Sequence, residues 1–260
     1  MILENLKKTI IWTRSREDWE EDIQFFAGLP VIHLPCISIE LLEISNLPEI
    51  GGTCVVVFTS RKAVQYSFRI PQMTVILSNS KTRVYCTGEK TAAEVSRQME
   101  ILGERPFGYA LGKLFPRPSP FKDFRCSTQD TILLPGPVER AIPLAEELNK
   151  QGLKVFPLDL YRTKSRLTLS DGTLPTPEQK AFLMDSLKGV VCFLSPSAVL
   201  GFRIALRPGM NRLGRNLHAV VIGETTKKAC EGTFETIHVA KKHSVVEVVT
   251  IARRLVEAKA

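Results

Sequence analysis

Two decapeptides hold the residues best placed for chemistry. Val55 to Val64 reads VVVFTSRKAV, and Val190 to Val199 reads VVCFLSPSAV. In each, an apolar run of the kind that forms a buried parallel strand stops at a serine, and a helix-compatible stretch follows. Such a turn presents unpaired backbone N–H groups and hydroxyls, which suit an oxyanion. The two segments share six residues in register, 135 positions apart. The same spacing relates Thr87-Gly88-Glu89-Lys90-Thr91 to Ile222-Gly223-Glu224-Thr225-Thr226. Ser60, Thr87, Thr91, Ser195, Ser197, Thr225 and Thr226 are therefore candidate oxyanion ligands, with Lys62 and Lys90 as neighbouring charges. Each hydroxyl has an alternative use as a plain helix cap. Arg203, Arg207, Arg212, Arg215, Lys227 and Lys228 raise the local positive field.

Other chemistry is poorly represented. Ser195 and Ser197 lack a nearby histidine and do not lie in G-x-S-x-G. No carboxylate pair stands out, and Glu89 and Glu224 suit the first turns of their helices. His33, His218, His238 and His243 have no metal-ligand spacing, and there is neither a P-loop nor G-x-G-x-x-G. No metal and no cofactor are expected. The six cysteines are scattered, and Cys54, Cys86 and Cys192 read as small buried hydrophobes. Tyr161, in an extended run with Asp159, is either a packed aromatic or a proton donor.

The elements that must hold these residues alternate between strand and helix, which predicts α/β with parallel sheets. Strands are expected at 9–14, 53–60, 83–87, 131–134, 217–222 and 237–240, besides the run that opens at Val190. Helices are expected at 16–27, from Arg61, at 89–99, 138–151, 178–187, 225–230 and 244–256. Pro135-Gly136-Pro137 is expected to close the strand at 131–134. The runs 31–42 and 153–166 are long, extended and broken by proline, and look like partners. Residues 103–130, rich in Pro, Gly and Phe, predict a strand near Pro106 and then an irregular segment.

A third likeness joins 9–34 to 131–158, but the units follow one another in a different order in the two copies. Two similar α/β domains, the second inserted in the first, reconcile this. Domain one takes 1–37 and 168–260, and domain two takes 43–160. The runs 31–42 and 153–166 form a two-stranded β-ladder between them. The repeat is a domain duplication and not a solenoid. Two such domains would face a cleft, with the four hydroxyl-bearing loops converging on it.

The chain has 260 residues, 44% of them apolar and 24% charged, with a net charge of +8. That length accommodates two domains of about 100–150 residues. No apolar run reaches the ~18–20 residues of a membrane span, and no secretory leader is evident, so a cytoplasmic protein is expected. The basic residues form no block with interleaved aromatics, so nucleic acid is not the expected partner.

FTSRKAV and FLSPSAV after apolar strands, Gly223-Glu224-Thr225-Thr226, and Tyr161-Arg162-Thr163 after Val155-Phe156-Pro157-Leu158 together resemble the uroporphyrinogen-III synthase family along nearly the whole chain. The resemblance implies two flavodoxin-like α/β domains joined by a β-ladder. It implies a hydro-lyase that closes hydroxymethylbilane with loss of water and inversion of the last ring, within heme and other tetrapyrrole biosynthesis. No cofactor is implied, and the protein is expected to be a monomer. By motif match Tyr161 takes the family's tyrosine position, as proton donor or orienter of water. Ser60 and Lys62, Thr91, Ser195 and Ser197, and Thr225 and Thr226 take the positions that bind acetate and propionate groups of the linear polycarboxylate. Departures are Arg61 where proline is usual, His243 where a proline often precedes the last helix, and the absence of a tidy helix in 103–130. The alternative function is a non-enzymatic two-domain module that binds a polyanion or porphyrinogen.

Overall fold

A computed structural model describes residues 9–44, 47–50, 53–102, 126–140 and 143–258. The strand expected near Pro106 lies outside them. In chain order the first elements are β1 (Thr9–Trp12), α1 (Arg16–Asp22), a 3-10 turn at Ile23–Phe26, β2 (Val31–His33) and β3 (Ile37–Leu41). Next come β4 (Cys54–Phe58), α2 (Arg61–Ser67), α3 (Pro71–Leu77), β5 (Arg83–Cys86), α4 (Glu89–Ile101), β6 (Thr131–Pro137), α5 (Leu144–Lys150) and β7 (Lys154–Ser165). The chain continues with α6 (Pro177–Ser186), β8 (Gly189–Phe193), α7 (Pro196–Ala205), a 3-10 turn at Arg207–Gly209 and α8 (Met210–Asn216). It ends with β9 (Leu217–Val221), α9 (Glu224–Cys230), β10 (Thr236–Val239) and α10 (Val245–Glu257).

The chain divides into two compact units, Met1–Ile39 with Thr163–Ala260, and Glu40–Arg162. The first holds a sheet in the order β10-β9-β8-β1-β2, every pairing parallel. Counted along the chain this is the order 2-1-3-4-5 of flavodoxin-like folds, with its topological switch between β1 and β8. Both faces are covered. Val191 and Phe193 meet Phe202 of α7, Leu213 of α8 and Cys230 of α9, while Val190 and Cys192 meet Phe26 and Val248, Val249 and Ala252 of α10. That two-sided burial is why the strand reads as an unbroken apolar run.

The second sheet runs β3-β7-β6-β4-β5. Its parallel part, β7-β6-β4-β5, repeats β2-β1-β8-β9 strand for strand, so the decapeptide pair and the permuted third likeness are one duplication seen in space. α5 covers one face through Leu144 and Leu148, packed on Val55, Val57, Ile132 and Leu134. β3 runs antiparallel to β7: Arg166 donates to the Cys36 carbonyl at 3.0 Å, and Leu42 to the Leu160 carbonyl at 3.0 Å.

Several elements differ from their expected extents. The run 31–42 is two strands, β2 and β3, interrupted at Leu34-Pro35-Cys36, where Leu34 and Cys36 still donate to the Trp12 and Thr13 carbonyls at 2.9 Å and Pro35 has no N–H to give. The helix expected over 16–27 gives way to the 3-10 turn after Asp22. The helix expected from Val138 begins at Leu144. β6 is not closed by Pro135-Gly136-Pro137 but runs through them. β4 accompanies β6 only as far as Leu133, so beyond that point the missing proline N–H groups leave no bond to β4 unmade.

Candidate active site

Tyr161 owes its orientation to an irregularity in β7. Along β6 and β7 the register steps from Gly136 opposite Asp159 to Pro137 opposite Tyr161. A bulge of this kind breaks the alternation of side chains and re-aims the residue after it. Leu160 and Tyr161 are consecutive and yet both buried, 2% and 5% exposed. Val138 then donates to the Tyr161 carbonyl at 2.9 Å and fixes the backbone there.

The phenol lies at the carboxyl end of the second sheet, at the switch between β6 and β4. Its hydroxyl is 3.5 Å from Ser60 Oγ. Ser60 is the N-cap of α2 and accepts from the Ala63 N–H at 3.1 Å. The cap holds the oxygen in place and leaves its own proton available to a further acceptor. Tyr66 packs edge-on against Tyr161, ring centroids 5.0 Å apart, and Arg69 lies over the Tyr66 ring at 5.3 Å. Sequence reasoning does not single out Tyr66. The available signal is its place three residues after the buried Ala63, on the inward face of α2. Lys62 is half-buried in the first turn of the same helix.

The neighbouring turn is tied to this one. Thr87 Oγ1 donates to the Thr59 carbonyl at 3.2 Å, and the Thr87 N–H to the Phe58 carbonyl at 3.0 Å. Gly88 caps α4, and Thr91 is only 6% exposed.

In the first unit Ser195 caps α7 and accepts from the Ala198 N–H at 3.3 Å, with Ser197 Oγ 2.9 Å from Ser195 Oγ. Both serines are half-buried. In α9, which follows the adjacent strand, Thr225 is exposed and Thr226 is 3% exposed, matching Thr91 in the other unit. The buried pair Thr91 and Thr226 thus shape their turns, while Ser60, Ser195, Ser197 and Thr225 keep accessible surface. The His243 ring lies against Gly223. A Cβ at 223 would fall 2.3 Å from its Cε1, so any side chain there would have to displace the ring from the fourth turn. Arg203 and Arg207 do not join these turns: α7 runs away from them, and Arg203 is ~10 Å along it at 1.5 Å per residue.

The carboxyl end of β1, against α1, is filled differently. Asp22, 1% exposed, accepts from Trp12 Nε1 at 2.9 Å and Arg14 Nη1 at 2.7 Å, and Arg14 also meets Asp18 at 3.2 Å. Burial raises the Asp22 pKa above the usual carboxylate value, opposed by Arg14 and the Trp12 N–H. His33 stacks on Trp19 at 4.4 Å and its pKa is lowered by burial. Burial pushes the thiols up, Cys54 to about 11 and Cys86 to about 12, so they are poor nucleophiles. Among the described residues no group of three His, Cys, Asp or Glu side chains is set to hold a metal ion. No helix among them is long and apolar enough to cross a membrane.

The family model described as Uroporphyrinogen-III synthase HemD matches residues 26–249. The chain belongs to the uroporphyrinogen-III synthase family. Among solved structures it is similar to the uroporphyrinogen-III synthetase of Helicobacter pylori 26695, with a TM-score of 0.63, 18% identity, and 95% of this chain and 99% of the other covered. A mutant uroporphyrinogen III synthase of Thermus thermophilus aligns at 14% identity over 96% of this chain and 99% of the other, with a TM-score of 0.49. The Helicobacter likeness is one of fold, two-unit α/β with parallel sheets. No curated protein matches the chain. For a uroporphyrinogen-III synthase the lack of a triad or carboxylate pair is intelligible. The reaction turns on folding a flexible substrate into one geometry, and positioning supplies the rate.

Proposed function

We propose that this chain is a working hydro-lyase that closes hydroxymethylbilane to uroporphyrinogen III. Water is lost from the hydroxymethyl end and the last pyrrole ring is inverted, a step in heme and other tetrapyrrole biosynthesis. The observation that carries the reading is the family match across both units, with a buried tyrosine beside a serine at the carboxyl end of the second sheet. Tyr161 donates a proton to the departing hydroxyl, or orients the water that forms, and Ser60 holds the phenol. The turns at Ser60 and Lys62 and at Thr91 in one unit, and at Ser195, Ser197, Thr225 and Thr226 in the other, bind acetate and propionate groups through hydroxyls and backbone N–H. The net charge of +8 favours such a polycarboxylate. The protein acts without a cofactor, as a cytoplasmic monomer, and without nucleic acid.

The test is to supply hydroxymethylbilane to the purified protein and separate the isomers formed. Uroporphyrinogen III above the spontaneous background is expected. Only the uninverted isomer, at the spontaneous rate, ends the proposal.

A further inference from the structure

The first unit carries a second concave surface at the end of its sheet opposite the hydroxyl-bearing turns. α7 leaves Ser195 and runs back toward the amino ends of the strands. Its outer stripe is Leu200, Arg203 and Ile204, spaced i, i+3, i+4, and Arg207 follows in the 3-10 turn beyond the helix. Leu200 and Ile204 are 48% and 61% exposed, which is unusual for two adjacent bulky aliphatics on one helix face. Arg203 and Arg207 are exposed, and among the described residues neither guanidinium has an ion pair or a hydrogen bond. The stripe borders a hollow of about 500 Å³ that Asn211 and Thr233 close from the far side. A second hollow of about 470 Å³ adjoins it through Asn211, Gly232 and Thr233 and continues toward Arg215 and Glu235.

The walls are fixed. The Thr233 carbonyl would lie 1.8 Å from a Cβ at Gly214, so α8 is seated on the Gly232-Thr233 turn at backbone distance. Glu235 N–H donates to the Gly214 carbonyl at 3.1 Å, and Thr233 N–H to the Cys230 carbonyl at 3.0 Å. The groove is therefore formed before anything binds, which lowers the ordering cost of association.

We infer that this groove, floored by Leu200 and Ile204 and flanked by Arg203 and Arg207, docks an acidic peptide segment of a partner protein that brings aliphatic side chains. Charge complementarity selects the occupant. Two unpaired guanidinium groups call for carboxylates, and the bulky aliphatics between them call for apolar anchors in the same segment. Bare phosphate chains leave Leu200 and Ile204 uncovered, and a flat lipid surface does not fill a walled hollow. The site is remote from the cyclisation turns, so the inference stands whether or not the proposed activity is found.

The probe is a fluorescein-labelled twelve-residue peptide of glutamate and leucine, titrated into the full chain and followed by anisotropy. Saturable binding is expected. It should weaken at least tenfold in the Arg203→Glu, Arg207→Glu double variant, weaken again in Ile204→Ser, and fall at least tenfold when the peptide's glutamates become glutamine. Far-ultraviolet circular dichroism and the cyclisation rate should be unchanged in these surface variants. No saturable binding, or equal binding by the double variant, overturns the inference. So does the reverse selectivity, in which vesicles of phosphatidylserine and phosphatidylcholine bind in an Arg203- and Arg207-dependent way while the peptide does not. Concentration-dependent self-association abolished by the same substitutions would also overturn it in favour of a second copy.

Discussion

The carboxyl ends of the two sheets are built on the same strand order and filled with opposite chemistry. In the first unit the carboxyl end of β1 holds Arg14 between Asp18 and Asp22 of α1, with the Trp12 N–H completing Asp22. Every member of that cluster is satisfied by another. In the second unit the switch between β6 and β4 holds a phenol and a serine hydroxyl 3.5 Å apart, a separation at the edge of a hydrogen bond. A bulge in β7 turns the phenol there, and the matching strand β2 has none of its length or irregularity. A duplicated scaffold thus holds ion pairs as a brace in one copy and a contact between a phenol and a serine hydroxyl in the other.

Breaking the brace should give the largest effect. Arg14→Ala leaves Asp22 buried without its cation, and its cost should be about 3–5 kcal/mol of stability. Denaturant unfolding measures this, and a loss below about 1 kcal/mol would show that the cluster is not a brace. Ser60→Ala comes next. It should lower stability by about 1 kcal/mol through the lost cap, and turnover by about tenfold through the lost contact with Tyr161. Ser195→Ala should cost the same ~1 kcal/mol as a cap, but raise KM more than it lowers kcat. Identical kinetic profiles for the two serine variants would erase the difference between the units.

The smallest effect concerns His33. Burial lowers its pKa in the folded state below the ordinary 6.5. The unfolded chain then takes up the proton first, so the stability His33 contributes is full above pH 6.5 and is lost as pH falls through the lowered folded value. His33→Asn should flatten that part of the pH–stability curve, and an unchanged slope in the variant would assign the acid loss elsewhere.

Much of this arrangement was legible from residue order. The register of VVVFTSRKAV with VVCFLSPSAV foretold two strands with the same neighbours, because a parallel strand buried on both faces leaves an unbroken apolar signature. Extended 31–42 and 153–166 foretold partner runs, and Pro35 marks the break between β2 and β3, whereas β7 runs through Pro157 without one. Less was legible where a tertiary partner decides. β6 runs through Pro135 and Pro137 where its pairing with β4 has already ended, at Leu133. Nothing in the sequence shows that Arg14 draws Asp18 and Asp22 of α1 inward. α3 escapes notice because it is only seven residues long with one buried pair, Met73 and Leu77, although Pro71 at its first position is a favoured start. Repetition finds the hydroxyl residues, but it cannot separate buried Thr91 and Thr226 from accessible Thr225. Nor can it find Tyr66, whose contact with Tyr161 depends on the bulge.

The contrast between the two units rests on Tyr161, and the rate of uroporphyrinogen III formation by Tyr161→Phe probes it most directly. The substitution removes one oxygen and keeps the ring packed on Tyr66, so unfolding should change little. Turnover should fall about 100-fold, the scale of a lost positioned proton donor, with isomer III still the product. Wild-type turnover in a fully folded Tyr161→Phe protein would contradict the account and return Tyr161 to a packing role.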